Sequence, residues 1–290
     1  FGCEGGMTLA NVFVGVPTLG GHIGAAPVSA LLSALSPSHV VRISVQGLSL
    51  LARNFNTLFI DAWIKGADYF ILLHSDIGIS APPGSPYTWL EALIHELNAC
   101  GGACLSVCSP IKNYVGHTST ALQLEKGNSF KLRRVTIKEL AKLPADFISR
   151  DHLCDLFGAN KETAGAMLVN TGVLAMNLKQ YGWAQERWPG FEIRDKIVWS
   201  RDGIPKAYTL PEDWQMSKWL FEKGWPYYCT RAFPLMHFGE QAFTNYGNWG
   251  VEFDTEGPTW ISISEYEASW SQQDRGILSR RAITNVPQPA

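Results

Sequence analysis

No apolar run in this chain reaches the roughly 18–20 residues of a transmembrane helix, so no membrane partner is expected. An excess of one charge is missing too. Lys and Arg number 24 against 26 Asp and Glu, a formal net charge of -2 with a pI near 6.4, which excludes a global pull toward nucleic acid or anionic lipid. Charged residues make up only 17% of the chain and hydrophobic ones 46%, enough core for one large α/β domain. No internal repeat, low-complexity linker or strong protein-partner signal is present, which excludes a repeat array. Cysteine is sparse, and Cys100, Cys104 and Cys108 lack the spacing of a zinc or iron–sulfur site. Because Ala103 to Ser109 has the composition of a core strand, its cysteines read as small buried residues. Residues 1–6 read as an appended segment ahead of a native Met7, and no signal peptide follows, so a cytoplasmic location is expected.

What is present is an alternation of strand-like and helix-like segments. Ala10 to Val16 is a β-rich apolar run, followed by a loop from Pro17. Pro27 to Leu35 reads as a helix, Val40 to Val45 as a strand, and Ser49 to Lys65 as a helix stopped by Gly66. Tyr69 to Leu73 is a strand, Tyr87 to Ala99 a helix and Ala103 to Ser109 a strand. This order predicts an α/β fold with a Rossmann-like, mostly parallel central sheet and helices on both faces. Asn113 to Leu132 is polar and reads as loop, and Arg133 to Leu156 as a charged helical stretch. Gly165 to Asn177 reads as two short strands around an Asn-Thr-Gly corner. A helix over Trp214 to Lys223, a strand over Pro226 to Thr230 and a strand entering His237 complete the pattern. The remainder, residues 246–290, is expected to be a less regular C-terminal extension.

The most informative stretch is the apolar strand interrupted by His74-Ser75-Asp76. Open α/β sheets bind ligands at the carboxyl ends of their strands, and this triplet stands at such an end. A carboxylate with an imidazole there suits a divalent cation held against phosphates. The plainer reading is a solvated strand end. His237, at another strand exit before Gly239 and Glu240, is a candidate second ligand rather than a core histidine. Glu212 and Asp213 precede a helix, where one of them would cap free backbone N–H groups. A carboxylate so placed also suits a general base, and Asp213 is the candidate, with Glu212 orienting an acceptor or capping. Arg53, at a helix start, would bring a guanidinium to a base, a diphosphate or a donor sugar.

Taken in order, Pro17-Thr18, Leu51 to Leu58 with its Ala52-Arg53-Asn54, the strand into His74-Ser75-Asp76, Asn170-Thr171-Gly172, Glu212-Asp213-Trp214 and His237-Phe238-Gly239 resemble the motif order of GT-A-fold glycosyltransferases. The chain is most similar to compact glycosyltransferase-like proteins of phages and bacteria, and Thr118-Ser119-Thr120-Ala121 matches a further motif of that group. The resemblance spans roughly residues 10–245 and rests on order and spacing rather than on one motif. It implies a catalytic domain over residues 7–245, with a nucleotide-binding half (7–110) and an acceptor half (111–245). It also implies a hexosyl- or pentosyltransferase using a nucleotide-diphosphate sugar, a UDP-sugar being favoured, with Mn2+ or Mg2+. The chain departs from the usual Asp-x-Asp pattern, since His74 stands where the first Asp belongs. The resemblance therefore implies a metal held by Asp76 and His237, with His74 as a third ligand. Pro17, Thr18, Arg53, Ser75 and Asp76 would meet the donor, and Asn170, Thr171 and Gly172 the donor sugar or acceptor. Asp213 matches the base of inverting members.

Two further readings stay open. One is transfer to a hydroxylated nucleic-acid base, for which Lys131-Leu132-Arg133-Arg134 and Arg280-Arg281 are the only basic clusters. The other is a nucleotide-sugar binder without turnover. A viral protein of this kind would work in the host cytoplasm.

Overall fold

A computed structural model describes residues 9–18, 20–112, 115–128, 131–199, 205–239, 242–247 and 249–250. Residues 1–6, Arg280-Arg281 and nearly all of the expected C-terminal extension lie outside the described residues. The first half alternates as its periodicity predicts: β1 Ala10–Pro17, α1 Ala25–Ser33, β2 His39–Gln46, α2 Leu51–Ile64, β3 Tyr69–Leu73, β4 Ile77–Ile79, α3 Trp89–Ala99 and β5 Cys104–Val107. The second half adds β6 His117–Gln123, β7 Leu132–Thr136, the one-turn α4 Ile137–Leu140 and α5 Arg150–Phe157. There follow β8 Met167–Leu168, β9 Val173–Asn177, the hairpin β10 Arg194–Trp199 with β11 Pro205–Leu210, α6 Glu212–Lys223, β12 Tyr227–Thr230, β13 Leu235–Phe238 and β14 Ala242–Thr244.

The central sheet has six strands in the order β12-β5-β9-β3-β1-β2. It is largely parallel: β1 runs with β2 and β3, and β5 with β12. β9 is the exception, antiparallel to both β3 and β5. Side-chain alternation splits the apolar residues between two layers. Phe13, Phe70, Leu72, Leu174 and Met176 pack under α2 with Phe55, Leu58 and Ala62. Val12, Val14, Ile71, Leu73, Val173 and Ala175 pack on the opposite face with Leu90 and Leu93 of α3 and Ala30 and Leu31 of α1. Each such side chain contributes roughly 1.5–3 kcal/mol on burial.

Local signals set the ends of the helices. Thr88 and Glu91 form a reciprocal capping box at the start of α3, and Ser149 with His152 does the same for α5. α6 ends at Gly224, whose φ of 68° is left-handed and suits glycine. Cys104 and Cys108 are buried core residues, as their strand predicts.

Two expectations for the middle of the chain are corrected. The polar stretch after Asn113 is not all loop, because residues 117–123 form β6, paired with β7 and β8. Its β-branched Thr118 and Thr120 are buried, the Thr118 hydroxyl donating to the Val135 carbonyl at 2.8 Å and that of Thr120 to Cys108 Sγ at 3.5 Å, so polar composition conceals a strand. The stretch from Arg133 to Leu156 is not one helix but a strand, a single turn and α5. The basic cluster 131–134 turns its arginines inward. Arg133 is buried against Glu139 at 2.6 Å, and the Arg134 guanidinium lies 4.6 Å from the Trp214 ring centre. Among the described residues one tryptophan cluster is structural: Trp183 is buried and packs against Trp188, Trp219 and Trp225.

Candidate functional site

The site grows from the end of β3. Antiparallel pairing puts Leu73 opposite Val173, so the next residue, His74, meets Gly172, and its N–H donates to the Gly172 carbonyl at 2.9 Å. The Asn170-Thr171-Gly172 corner is thereby fixed against His74. Asn170 is buried and braces the corner, donating to the Val107 carbonyl at 3.0 Å and accepting from Gly172 N–H at 2.9 Å. A side chain at Gly172 would meet Ile77 Cδ1 at 2.7 Å, so Ile77 would have to shift to admit one. Thr171 Oγ1 lies 3.4 Å from His74 Nε2. Desolvation drives the His74 pKa from 6.5 down to about 4; Asp76 opposes this, while His237 and Lys112 add to it.

After the turn the chain re-enters the three-stranded sheet β14-β13-β4. Ile77 pairs with His237, and Phe238 N–H donates to the Asp76 carbonyl at 2.8 Å. This register brings the Asp76 carboxylate and the His237 ring together, with Oδ2 and Nε2 3.4 Å apart. The other ring nitrogen, Nδ1, is 2.8 Å from the Pro110 carbonyl. A carbonyl only accepts, so Nδ1 carries a proton, and Nε2 is the ring nitrogen that faces the Asp76 carboxylate. A proton on Nε2, or a cation in its place, completes the arrangement across that gap. An Nδ1–H held by a backbone carbonyl is also the usual outer support of a ligating histidine.

Lys112 is the third member. Its Nζ donates to the same Asp76 Oδ2 at 2.5 Å. Burial pushes the Asp76 carboxyl up, but His237 and Lys112 together outweigh it and hold the group well below the usual carboxylate range. Lys112 belongs to no sequence motif. Its place just beyond Ser109, at the carboxyl end of a predicted strand, is the signal that could have found it.

Asp76 and His237 fit a divalent cation as a half-site. Among the described residues no group of three or more His, Cys, Asp or Glu side chains is arranged to hold a metal. His74 Nε2 faces Thr171. One carboxylate and one imidazole still suit an ion that keeps several waters and gains substrate phosphate oxygens.

The neighbouring strand ends contribute more. Pro17 ends β1 opposite Gln46, and Thr18 N–H donates to the Gln46 carbonyl at 2.9 Å. Asn54, buried in the first turn of α2, holds this rim: it bonds both backbone groups of Leu48 at 2.9 Å and reaches the Thr18 carbonyl at 3.4 Å. Arg53 beside it is exposed and makes no hydrogen bond or ion pair among the described residues. The Ser75 carbonyl accepts from Gly24 N–H at 3.3 Å, tying the loop after β1 to the site.

Glu212 and Asp213 open α6, whose N-cap is Pro211 and has no side-chain cap. Asp213 Oδ1 instead accepts from Trp214 N–H at 2.7 Å. α6 is docked by Ser217, which accepts from Val169 N–H at 3.0 Å and donates to the Asp213 carbonyl at 2.8 Å. The segment 169–172 therefore carries α6 at one end and His74 at the other. Burial, then the Glu212 charge, push the Asp213 pKa up to about 8, against the Trp214 N–H and Arg134. Burial raises Glu212 as well. A cleft of about 650 Å3 runs along α6 but is lined by Gln215, Lys218, Trp219 and Glu222. At 100° per residue these lie on the helix face opposite Asp213 and Ser217, so the cleft does not serve Asp213.

The structure is that of a mixed α/β protein with a charged edge at the carboxyl end of β3. No family model and no curated protein matches the chain. Among solved structures it is similar to the A197 protein from STIV, with 11% identity, a TM-score of 0.42 and coverage of 84% of this chain and 97% of that one. Mannose-1-phosphate geranyltransferase from Thermus thermophilus follows at 11% identity and a TM-score of 0.29, covering 58% of this chain and 57% of that one. HddC from Yersinia pseudotuberculosis, complexed with GMP-PN, has 9% identity and a TM-score of 0.25, covering 74% and 99%. Likenesses this distant carry no function to this chain. Among the described residues no helix is long and apolar enough to cross a membrane.

Proposed function

We propose that this protein is a GT-A-type glycosyltransferase that moves a sugar from a nucleotide-diphosphate donor, a UDP-sugar first among them, to an acceptor hydroxyl. Residues 7–245 form its catalytic domain. The observation that carries the reading is the facing pair of Asp76 and His237, 3.4 Å apart at the carboxyl end of β3 with the outer nitrogen of His237 already tied to Pro110. In this reading the pair holds Mn2+ or Mg2+, with His74 beside it. When bound, the cation neutralises the charge that develops on the departing diphosphate. Pro17, Thr18, Ser75 and the unpaired Arg53 line the nucleotide side, while Asn170, Thr171 and Gly172 border the donor sugar or the acceptor.

Asp213 is the proton acceptor. A base whose pKa lies near the working pH combines availability with driving force, and burial beside Glu212 moves Asp213 to that range. Its ionised carboxylate takes the acceptor proton as the hydroxyl oxygen attacks the anomeric carbon and the nucleoside diphosphate leaves, an inverting course. Glu212 orients the acceptor and raises the proton affinity of its neighbour.

Inward-turned Arg133 and Arg134 weigh against a nucleic-acid acceptor and in favour of a carbohydrate one. The tuned Asp213 weighs against a binder without turnover. The test is thermal unfolding with a panel of nucleotide sugars, with and without Mn2+ or Mg2+. A donor at about 100 times its Kd stabilises by about 2.7 kcal/mol through mass action. The expected result is a cation-dependent rise in Tm with one nucleotide-diphosphate sugar. No rise with any of them would overturn the reading.

A further inference from the structure

We infer that Lys112 and a divalent cation are alternative partners of one atom, Asp76 Oδ2, and that a cation arriving there frees the Lys112 ammonium to bind a phosphate group. The phosphate identity rests on the nucleotide-sugar reading; the competition does not. Three observations carry it. First, Oδ2 alone receives both neighbours, Lys112 Nζ at 2.5 Å and His237 Nε2 at 3.4 Å. A cation bridging Asp76 and His237 must approach this oxygen, where the ammonium already sits. Secondly, the pair is only partly shielded, with 34% of the Lys112 side chain and 39% of that of Asp76 exposed. Ion pairs this open are weak, so the lysine is a displaceable occupant rather than a permanent tie. Thirdly, both competitors are set by one backbone segment. Pro110, whose carbonyl orients His237, is bridged to Thr118 and stands two residues before Lys112. The ammonium therefore cannot move far from the cation when it is displaced.

The chemistry follows from charge. Without a cation, Lys112 neutralises Asp76, and the edge presents little net charge to an anion. With a divalent ion on Asp76 and His237, the ammonium is released beside it, and two positive groups face the same phosphate. Lys112 is thus a competitor of the cation and a binding residue for the anion, and its removal has effects of opposite sign.

Two measurements on the full chain test this. Calorimetric titration with MnCl2 alone compares wild type with Lys112→Gln. Removing the competitor should tighten Mn2+ binding by about two- to fivefold, the range set by a weak surface pair. Titration with inorganic pyrophosphate at saturating Mn2+ should show the reverse, weaker binding in Lys112→Gln by about tenfold, restored in Lys112→Arg. Equal or weaker Mn2+ binding in Lys112→Gln, with an unfolding midpoint matching wild type, would overturn the competition, as would no Mn2+ binding in either protein. If Lys112→Gln tightens Mn2+ binding while wild type ignores pyrophosphate, the competition stands and the second half of the inference is refuted, whereas the nucleotide-sugar reading falls only if the thermal-unfolding panel also shows no donor. Should Asp76→Asn and Lys112→Gln lower Mn2+ affinity alike, Lys112 is a support of the site and not its rival.

Discussion

Asp76 and Asp213 are the same residue type in two environments that pull it in opposite directions. Asp76 stands at a strand end with Lys112 and His237 on one oxygen, and these outweigh its partial burial and keep it an anion. Asp213 starts a helix whose N-terminal N–H groups would ordinarily favour an anion. Burial and the adjacent Glu212 carboxyl nevertheless raise its proton affinity, and Arg134 only partly offsets them. Location on a strand end or a helix end therefore does not decide a carboxyl's role here. Its surroundings do: two nitrogen groups make Asp76 a holder of positive charge, and burial with one more carboxyl makes Asp213 a holder of protons.

The comparison breaks most visibly at Asp213. Asp213→Asn keeps the size and the acceptor oxygen toward Trp214 N–H but cannot take a proton. Turnover should fall by about two to four orders of magnitude, with donor-induced stabilisation unchanged. Steady-state rates with thermal-shift controls check this; near wild-type turnover would leave Asp213 a helix-end residue. Asp76→Asn should do the converse. It should weaken cation-dependent nucleotide binding by at least about tenfold, as expected for a ligand whose outer supports alone carry that much. Calorimetry with Mn2+ and the nucleotide reads the change, and unchanged affinity would remove Asp76 from the site.

A smaller effect appears in stability against pH. A folded carboxyl raised to about 8 keeps a proton that the unfolded chain loses near pH 4. Its contribution to stability is then fully present below about pH 4 and is lost as pH rises toward 8. Glu96, raised by burial to about 7, acts with the same sign and cancels in the difference between wild type and Asp213→Asn, which reads the Glu212–Asp213 pair. Urea denaturation from pH 4 to 8 should show a shallower fall in the variant, and parallel curves would argue against a raised Asp213. The smallest effect is expected at Thr171→Val. The 3.4 Å contact with His74 is long, and its loss should cost under about 1 kcal/mol while loosening the His74 ring. A larger loss in denaturant titration would assign Thr171 a structural role.

The Asp76 side of this comparison was more legible in the sequence than the Asp213 side. An apolar strand broken by His74-Ser75-Asp76 signals a strand end by local pattern, and β1, β2, β3 and β5 with the three helices among them follow from periodicity in the same way. The approach of His237 to Asp76 depends on the register of Ile77 with His237, a pairing across about 160 residues that local pattern does not encode. Lys112 was hidden because a single lysine beyond a strand has no spacing to betray it. Arg134 was hidden because a basic run reads as solvated, whereas β7 turns it onto Trp214. β6 escaped because buried threonines count as polar. β9 was legible as a strand beside the Asn170-Thr171-Gly172 corner, but not its antiparallel place between β3 and β5.

The central claim is that one aspartate stays ionised while the other holds a proton near neutrality. Carboxyl 13C NMR of aspartate-labelled protein, assigned with Asp76→Asn and Asp213→Asn, tests it most directly. The account predicts an Asp213 resonance that titrates near pH 8, shifting when Glu212 is changed to Gln, and an Asp76 resonance still ionised below the usual carboxylate range. Both resonances titrating together near pH 4 would contradict it.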